Sequence, residues 1–117
     1  MSLSQGDQSK SYLSQLVKSA LNSPVPFGYE KITVDGTVKN LTIPTGATYA
    51  TVTIESSVTT GVVIRALQSK VTTVSTTVGQ GWRDGGVFDI TNAQGLTGFQ
   101  VTQAQAGTHN IYVEYFK

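Results

Sequence analysis

The sequence contains no cysteine, which excludes a disulfide framework and any thiolate metal site. Charge is nearly as scarce. Asp, Glu, Lys and Arg together make up 13% of 117 residues, against roughly a quarter in an ordinary globular chain. The eight basic residues are scattered from Lys10 to Lys117. No basic run or stripe exists, so the phosphate-binding footprint of a nucleic-acid protein is missing. No apolar stretch approaches the ~20 residues needed to span a bilayer. The opening Met1-Ser2-Leu3-Ser4 has neither the basic nor the apolar region of a secretory signal.

Groups that carry chemistry are equally few. The only histidine, His109, stands between Thr108 and Asn110 at an expected strand entry, where it reads as a bland polar turn residue. The acids are Asp7, Glu30, Asp35, Glu55, Asp84, Asp89 and Glu114. Sugar hydrolysis needs two carboxylates about 5–10 Å apart in a cleft. Asp84 and Asp89 are the only near pair, and Asp89 is expected to point outward. No His/Asp/Glu cluster has metal-ligand spacing. Gly79-x-Gly81 begins like a phosphate-binding loop, but position 84 is Asp and a strand follows, so loop geometry explains these glycines better. No catalytic residue, cofactor or metal is therefore expected, and a small hydrolase is disfavoured.

Threonine divides what is present. All 17 threonines lie at or beyond Thr33. Before them, Leu13, Leu16, Val17 and Ala20 stand at i, i+3, i+4 and i+7, on one face of a helix from Asp7 or Ser9 to about Leu21. Asn22-Ser23-Pro24 stops it, and Val25–Gly28 reads as a short stiff linker. Residues 1–28 are thus expected to be a helical arm and linker, with residues 29–117 as a β domain. An amphipathic helix of this length is marginal alone, so its apolar stripe needs a partner.

From Tyr29 the period becomes two. Strands are expected over Tyr29–Val34, Val38–Ile43 with a bulge at Lys39-Asn40, Tyr49–Glu55, Val62–Leu67, Val87–Thr91, Leu96–Thr102 and His109–Phe116. Asp35-Gly36 has the chemistry of a hairpin turn, and Asn92–Gly95 reads as another turn. Lys70–Val78 is either an edge strand or an extended loop, and Gly79–Gly86 a Gly-rich loop. In the last strand both faces are partly apolar, which suits a central strand or one covered by the helix. The expected fold is all-β, an antiparallel sandwich or jelly-roll-like domain of seven to eight strands with an N-terminal helix.

Trp82, Arg83 and Asp84 make the best surface site. An exposed Trp stacks a sugar or fills a partner's pocket. The competing reading folds Trp82 back as a lid on one end of the sandwich, with Arg83 and Asp84 paired.

The run Leu41-Thr-Ile-Pro-Thr-Gly-Ala-Thr-Tyr-Ala-Thr-Val-Thr-Ile-Glu55 resembles a segment of small virion proteins of tailed bacteriophages. Arg65, Thr76-Thr77-Val78-Gly79, Gly98-Phe99-Gln100-Val101 and Asn110-Ile-Tyr-Val-Glu-Tyr115 follow in that family's order. A Pro-containing turn of the pattern is replaced by Val74-Ser75-Thr76, and the N-terminal helix is unmatched. The resemblance implies a structural or accessory virion component, made in the bacterial cytoplasm and located in the particle, with no catalytic residues. It makes other virion proteins the natural partners. The low charge and the arm predict self-association, a trimer as the first expectation, with Leu13, Leu16, Val17 and Ala20 docking on sister copies or a neighbouring particle component. The alternative is a carbohydrate- or receptor-binding module that uses Trp82.

Overall fold

Alternation of apolar and polar residues sends every second side chain to one face of a strand, a pattern clearest in Tyr49–Ser56 and His109–Phe116. The computed structural model describes residues 25–117. The expected helix, with Leu13, Leu16, Val17 and Ala20, lies outside the described residues. The strands are β1 (Pro26–Val34), β2 (Tyr49–Ser56), β3 (Ile64–Gln68), β4 (Gln80–Trp82), β5 (Val87–Ile90), β6 (Phe99–Gln103) and β7 (His109–Phe116). One short helix, α1 (Ala93–Gly98), precedes β6. The strands form two antiparallel sheets, one ordered β1-β7-β2-β5 and the other β4-β3-β6.

The core lies between the sheets. Ala50, Val52 and Ile54 of β2 meet Ile111, Val113 and Tyr115 of β7 from the larger sheet. Ile64 and Ala66 of β3 and Phe99 and Val101 of β6 face them from the smaller one. Val52, Val113, Ile64, Phe99 and Val101 are all 0% exposed. Alternate residues of the expected strands Tyr49–Glu55 and His109–Phe116 thus point inward, and β7 is a central strand, one of the two readings its partly apolar faces allowed.

Four segments differ from expectation. Val38–Ile43 is not a strand. The Asp35 carboxylate accepts from the Thr37 N–H (2.9 Å) and hydroxyl (2.6 Å), which bends the chain away from β1. Instead of a hairpin, the chain crosses to the other sheet, where Lys39 exchanges two backbone hydrogen bonds with Val101 (2.9 and 3.0 Å). Asn92–Leu96 is neither turn nor strand start, because the Asn92 side chain accepts from the Gly95 N–H at 2.7 Å and caps α1. The glycine-rich stretch contains β4, paired with β3 from Ile64↔Trp82 to Ala66↔Gln80. Finally, the linker expected at Val25–Gly28 carries the start of β1, and Val25 and Lys117 exchange backbone hydrogen bonds (3.1 and 3.2 Å).

Lys70–Val78 resolves as an extended loop, and polar side chains attach it to the smaller sheet. Buried Gln100 donates from Nε2 to the carbonyls of Ser69 (2.7 Å) and Thr72 (2.6 Å), and its Oε1 accepts from the Val74 N–H (3.1 Å). Arg65 donates to the carbonyls of Thr76 and Gly79, both at 2.9 Å. Gly79 has φ +120°, and a Cβ there would lie 2.8 Å from Val74 Cγ2, so only glycine lets the loop close onto β3.

Replacing Gln100 with Leu keeps the volume but strips three backbone groups of their partner. The expected cost is about 1–3 kcal/mol, with a melting temperature lower by at least ~4 °C. Urea unfolding checks it, and an unchanged midpoint would show that the loop is held by other contacts.

Candidate functional site

The outer face of the four-stranded sheet is built from alternate residues of β1, β7 and β2. Tyr29 and Lys31 stand beside Glu114 and Tyr112, and Phe116 beside Tyr49. The Tyr29 and Tyr112 rings stack at 6.5 Å, and the Lys31 ammonium lies 5.8 Å from the Tyr112 centroid. Tyr49 and Phe116 meet edge to face at 5.4 Å. The Tyr112 hydroxyl donates to Glu55 at 2.7 Å, a bond that raises its pKa above the ordinary tyrosine value. Four aromatic rings thus stand on an outward face in fixed orientations. Tyr29 remains 64% exposed.

This face ends at β1, and β1 is an edge strand of nine residues. The other edges are managed. β4 has three residues and β5 four, too short to template a partner strand. β6 is covered by Lys39. Among the described residues nothing pairs with the free side of β1.

Behind β1, Glu30 turns inward with Ile32 and Val34. Its Oε2 accepts from the fully buried Tyr115 hydroxyl (2.5 Å) and from the Thr42 N–H (3.0 Å). This carboxylate ties β1, β7 and the crossing segment together.

Trp82, Arg83 and Asp84 occupy the opposite side of the sandwich. Trp82 is half-buried because its partner in register, Ile64, faces the core. Its ring stacks on Phe88 at 4.6 Å, and Phe88 stacks on Phe99 at 6.0 Å. A ladder of three rings therefore runs from the sandwich mouth into the core. Arg83 and Asp84 do not form the ion pair of the lid reading: Asp84 accepts from the Ser56 N–H at 2.8 Å and pins the β4–β5 turn to β2. Among the described residues the one ion pair is Lys39–Asp35 at 3.6 Å.

The mouth between β4 and β5 holds a cleft of about 320 Å³ lined by Ala66, Leu67, Gln68, Gln80, Trp82 and Phe88. Sequence reasoning missed Gln68, Gln80 and Phe88 as members. The alternation around Phe88 and Ile90 was a usable signal for Phe88, whereas Gln80 required knowing that β4 exists.

His109 is not a turn residue. It is fully buried, and its Nε2 lies 2.8 Å from the Gln105 carbonyl, which can only accept. Nδ1 therefore accepts from the Ser56 hydroxyl at 2.7 Å, and the Ser56 oxygen takes the Val58 N–H at 2.9 Å. A carbonyl occupies the place where an acid would orient a catalytic imidazole, and the arrangement locks a corner. Among the described residues no group of three His, Asp or Glu side chains is placed to hold a metal ion, and no helix is long and apolar enough to cross a membrane.

Burial, and then the hydrogen bond to Glu30, push the Tyr115 phenol well above its ordinary range. The folded chain keeps a proton that the unfolded chain releases above about pH 10. Tyr115 thus contributes stability that is complete below pH ~10 and lost as pH rises further. Thermal unfolding across that range should show a falling melting temperature, and Tyr115→Phe should flatten the fall. An identical slope in the variant would contradict the assignment. Comparison of the chain with protein-family models, with curated proteins and with solved structures gives no match.

Proposed function

We propose that this chain is a structural or accessory component of a tailed-phage particle that acts through protein–protein contacts. In this reading copies of the chain associate through β1 and the aromatic face beside it. The observation that carries the proposal is the contrast among the sheet edges. Three are short or covered, while the nine-residue β1 is left with a free side among the described residues. Long, weakly charged edges template pairing with another chain unless something blunts them, and one lysine, Lys31, is the only charge that β1 turns outward.

The resemblance around Leu41–Glu55 supplies the particle context. The elements of the motif also meet in space: Arg65 bonds Thr76 and Gly79, and Gln100 holds the same loop. Gly98 adjoins them, since a Cβ there would lie 2.9 Å from the Gln68 carbonyl oxygen. In the proposed assembly the arm adds a second contact, with Leu13, Leu16, Val17 and Ala20 docked on a sister copy or a neighbouring virion protein.

The assembly reading predicts a solution mass above the 12.4 kDa of one chain. Tyr29→Lys adds charge at an exposed edge position and should shift the protein toward monomer while the β domain stays folded. Leu16→Asp should weaken assembly in the same way, leaving the β domain folded. Light scattering across a concentration series decides. A concentration-independent mass of one chain would contradict self-association. For the particle context, mass spectrometry of purified virions should find the chain, and its neighbouring genes should encode portal, capsid or tail proteins. A neighbourhood of metabolic genes would contradict that context.

A further inference from the structure

We propose that the mouth between β4 and β5 is a binding site for a neutral saccharide, with the sugar ring seated against Trp82 and its hydroxyls held by Gln68 and Gln80. The volume of about 320 Å³ lies at the lower end of small-molecule sites, room for a single ring and part of its neighbour.

The chemistry of the lining selects the ligand class. Trp82 and Phe88 supply an apolar aromatic wall whose orientation is set by their mutual stacking and by Phe99 behind them. Such a wall suits the C–H face of a pyranose. Gln68 and Gln80 add two primary amides to the lining, each with a carbonyl acceptor and two N–H donors, the complement of vicinal hydroxyls. The Gln68 amide is pre-oriented, because its Nε2 donates to the Asp89 carbonyl at 3.1 Å, and the second N–H of that nitrogen has no partner among the described residues. The exposed Gln80 side chain makes no hydrogen bond among the described residues, so its full amide is available. Among the described residues no charged side chain lines the cleft, so none of them compensates an anionic or cationic ligand for lost water. The site therefore favours a neutral one.

Two further features fit an oligosaccharide. Gln68 also borders a broader, largely apolar depression of about 560 Å³ formed with Ser69, Lys70, Ala93, Gln94, Thr97 and Gly98, so a second ring has an adjoining surface for its C–H face. The mouth lies beside β5, at the far end of the large sheet from β1. Association through β1 therefore leaves it open.

Trp82 is the only tryptophan, so intrinsic fluorescence reports on the site alone. An array of neutral and acidic glycans on the full chain identifies the best ligand, and fluorescence titration then measures it. The expected result is a saturable change with a neutral glycan, weakened about three- to tenfold by Gln80→Ala at an unchanged melting temperature, the size of one lost hydrogen bond. Trp82→Ala, read on the array, should abolish binding. Gln80→Ala keeps the test decisive should Trp82→Ala fail to fold. No binding on the array, a preference for acidic glycans, or affinity untouched by Gln80→Ala would each overturn the proposal.

Discussion

The insertion of β7 between β1 and β2 is the constraint from which the rest of the structure follows. It pairs in register with both neighbours over nearly its whole length, and its inward residues Ile111, Val113 and Tyr115 are fully buried. The last strand of the chain therefore completes the hydrogen bonding of β2 and supplies the one partner β1 has among the described residues. Pairing of this kind is non-local and closes only once the chain between has folded back. With β7 in the middle, β1 becomes an edge and one of its two rows of backbone groups faces away from the sheet. The same placement aligns Tyr29, Tyr112, Phe116 and Tyr49 on one outer surface. The fold and the assembly proposed for it are in this sense tied to a single strand order.

With one ion pair among the described residues, the loops are held by hydrogen bonds between side chains and backbone. Gln100 and Arg65 fasten the loop that follows β3, Asp84 fastens the β4–β5 turn, and Asp35 shapes the crossing after β1. Each replaces strand pairing with hydrogen bonds between a side chain and the backbone, donated by Arg65 and accepted by Asp84 and Asp35, with Gln100 doing both. Among the described residues no buried side-chain polar atom lacks a partner, as expected where an unmade bond costs more than a made one gains. The low charge leaves amides and hydroxyls as the dominant surface groups, and the two amides at the β4–β5 mouth belong to that general pattern.

Much of this was legible from alternation. Ala50, Val52 and Ile54, and Ile111, Val113 and Tyr115, declare their faces by residue type alone, and a strand apolar on both sides is naturally central. Val38–Ile43 misled because its residues favour strands while Asp35 and Thr37, just upstream, turn the chain away; a local hydrogen bond overrode propensity. Leu96 misled in the opposite sense, since a single Asn cap started a helix too short to show a period. β4 was hidden because glycine hides strands. His109 looked like a turn residue because its partners Ser56 and Gln105 are 53 and 4 positions away, and only the folded chain brings both nitrogens to them. The aromatic outer face was visible residue by residue, but its status as a surface beside an open edge depends on strand order, which alternation does not encode.

Backbone amide exchange resolved by residue, followed as a function of protein concentration, tests the central claim most directly. If copies associate through β1, protection of the Pro26–Val34 amides that face away from β7 should rise with concentration, while β2 and β7, already paired on both sides, stay constant. Protection of β1 that is the same at every concentration while the mass of the particle grows would place the contact elsewhere and contradict the account.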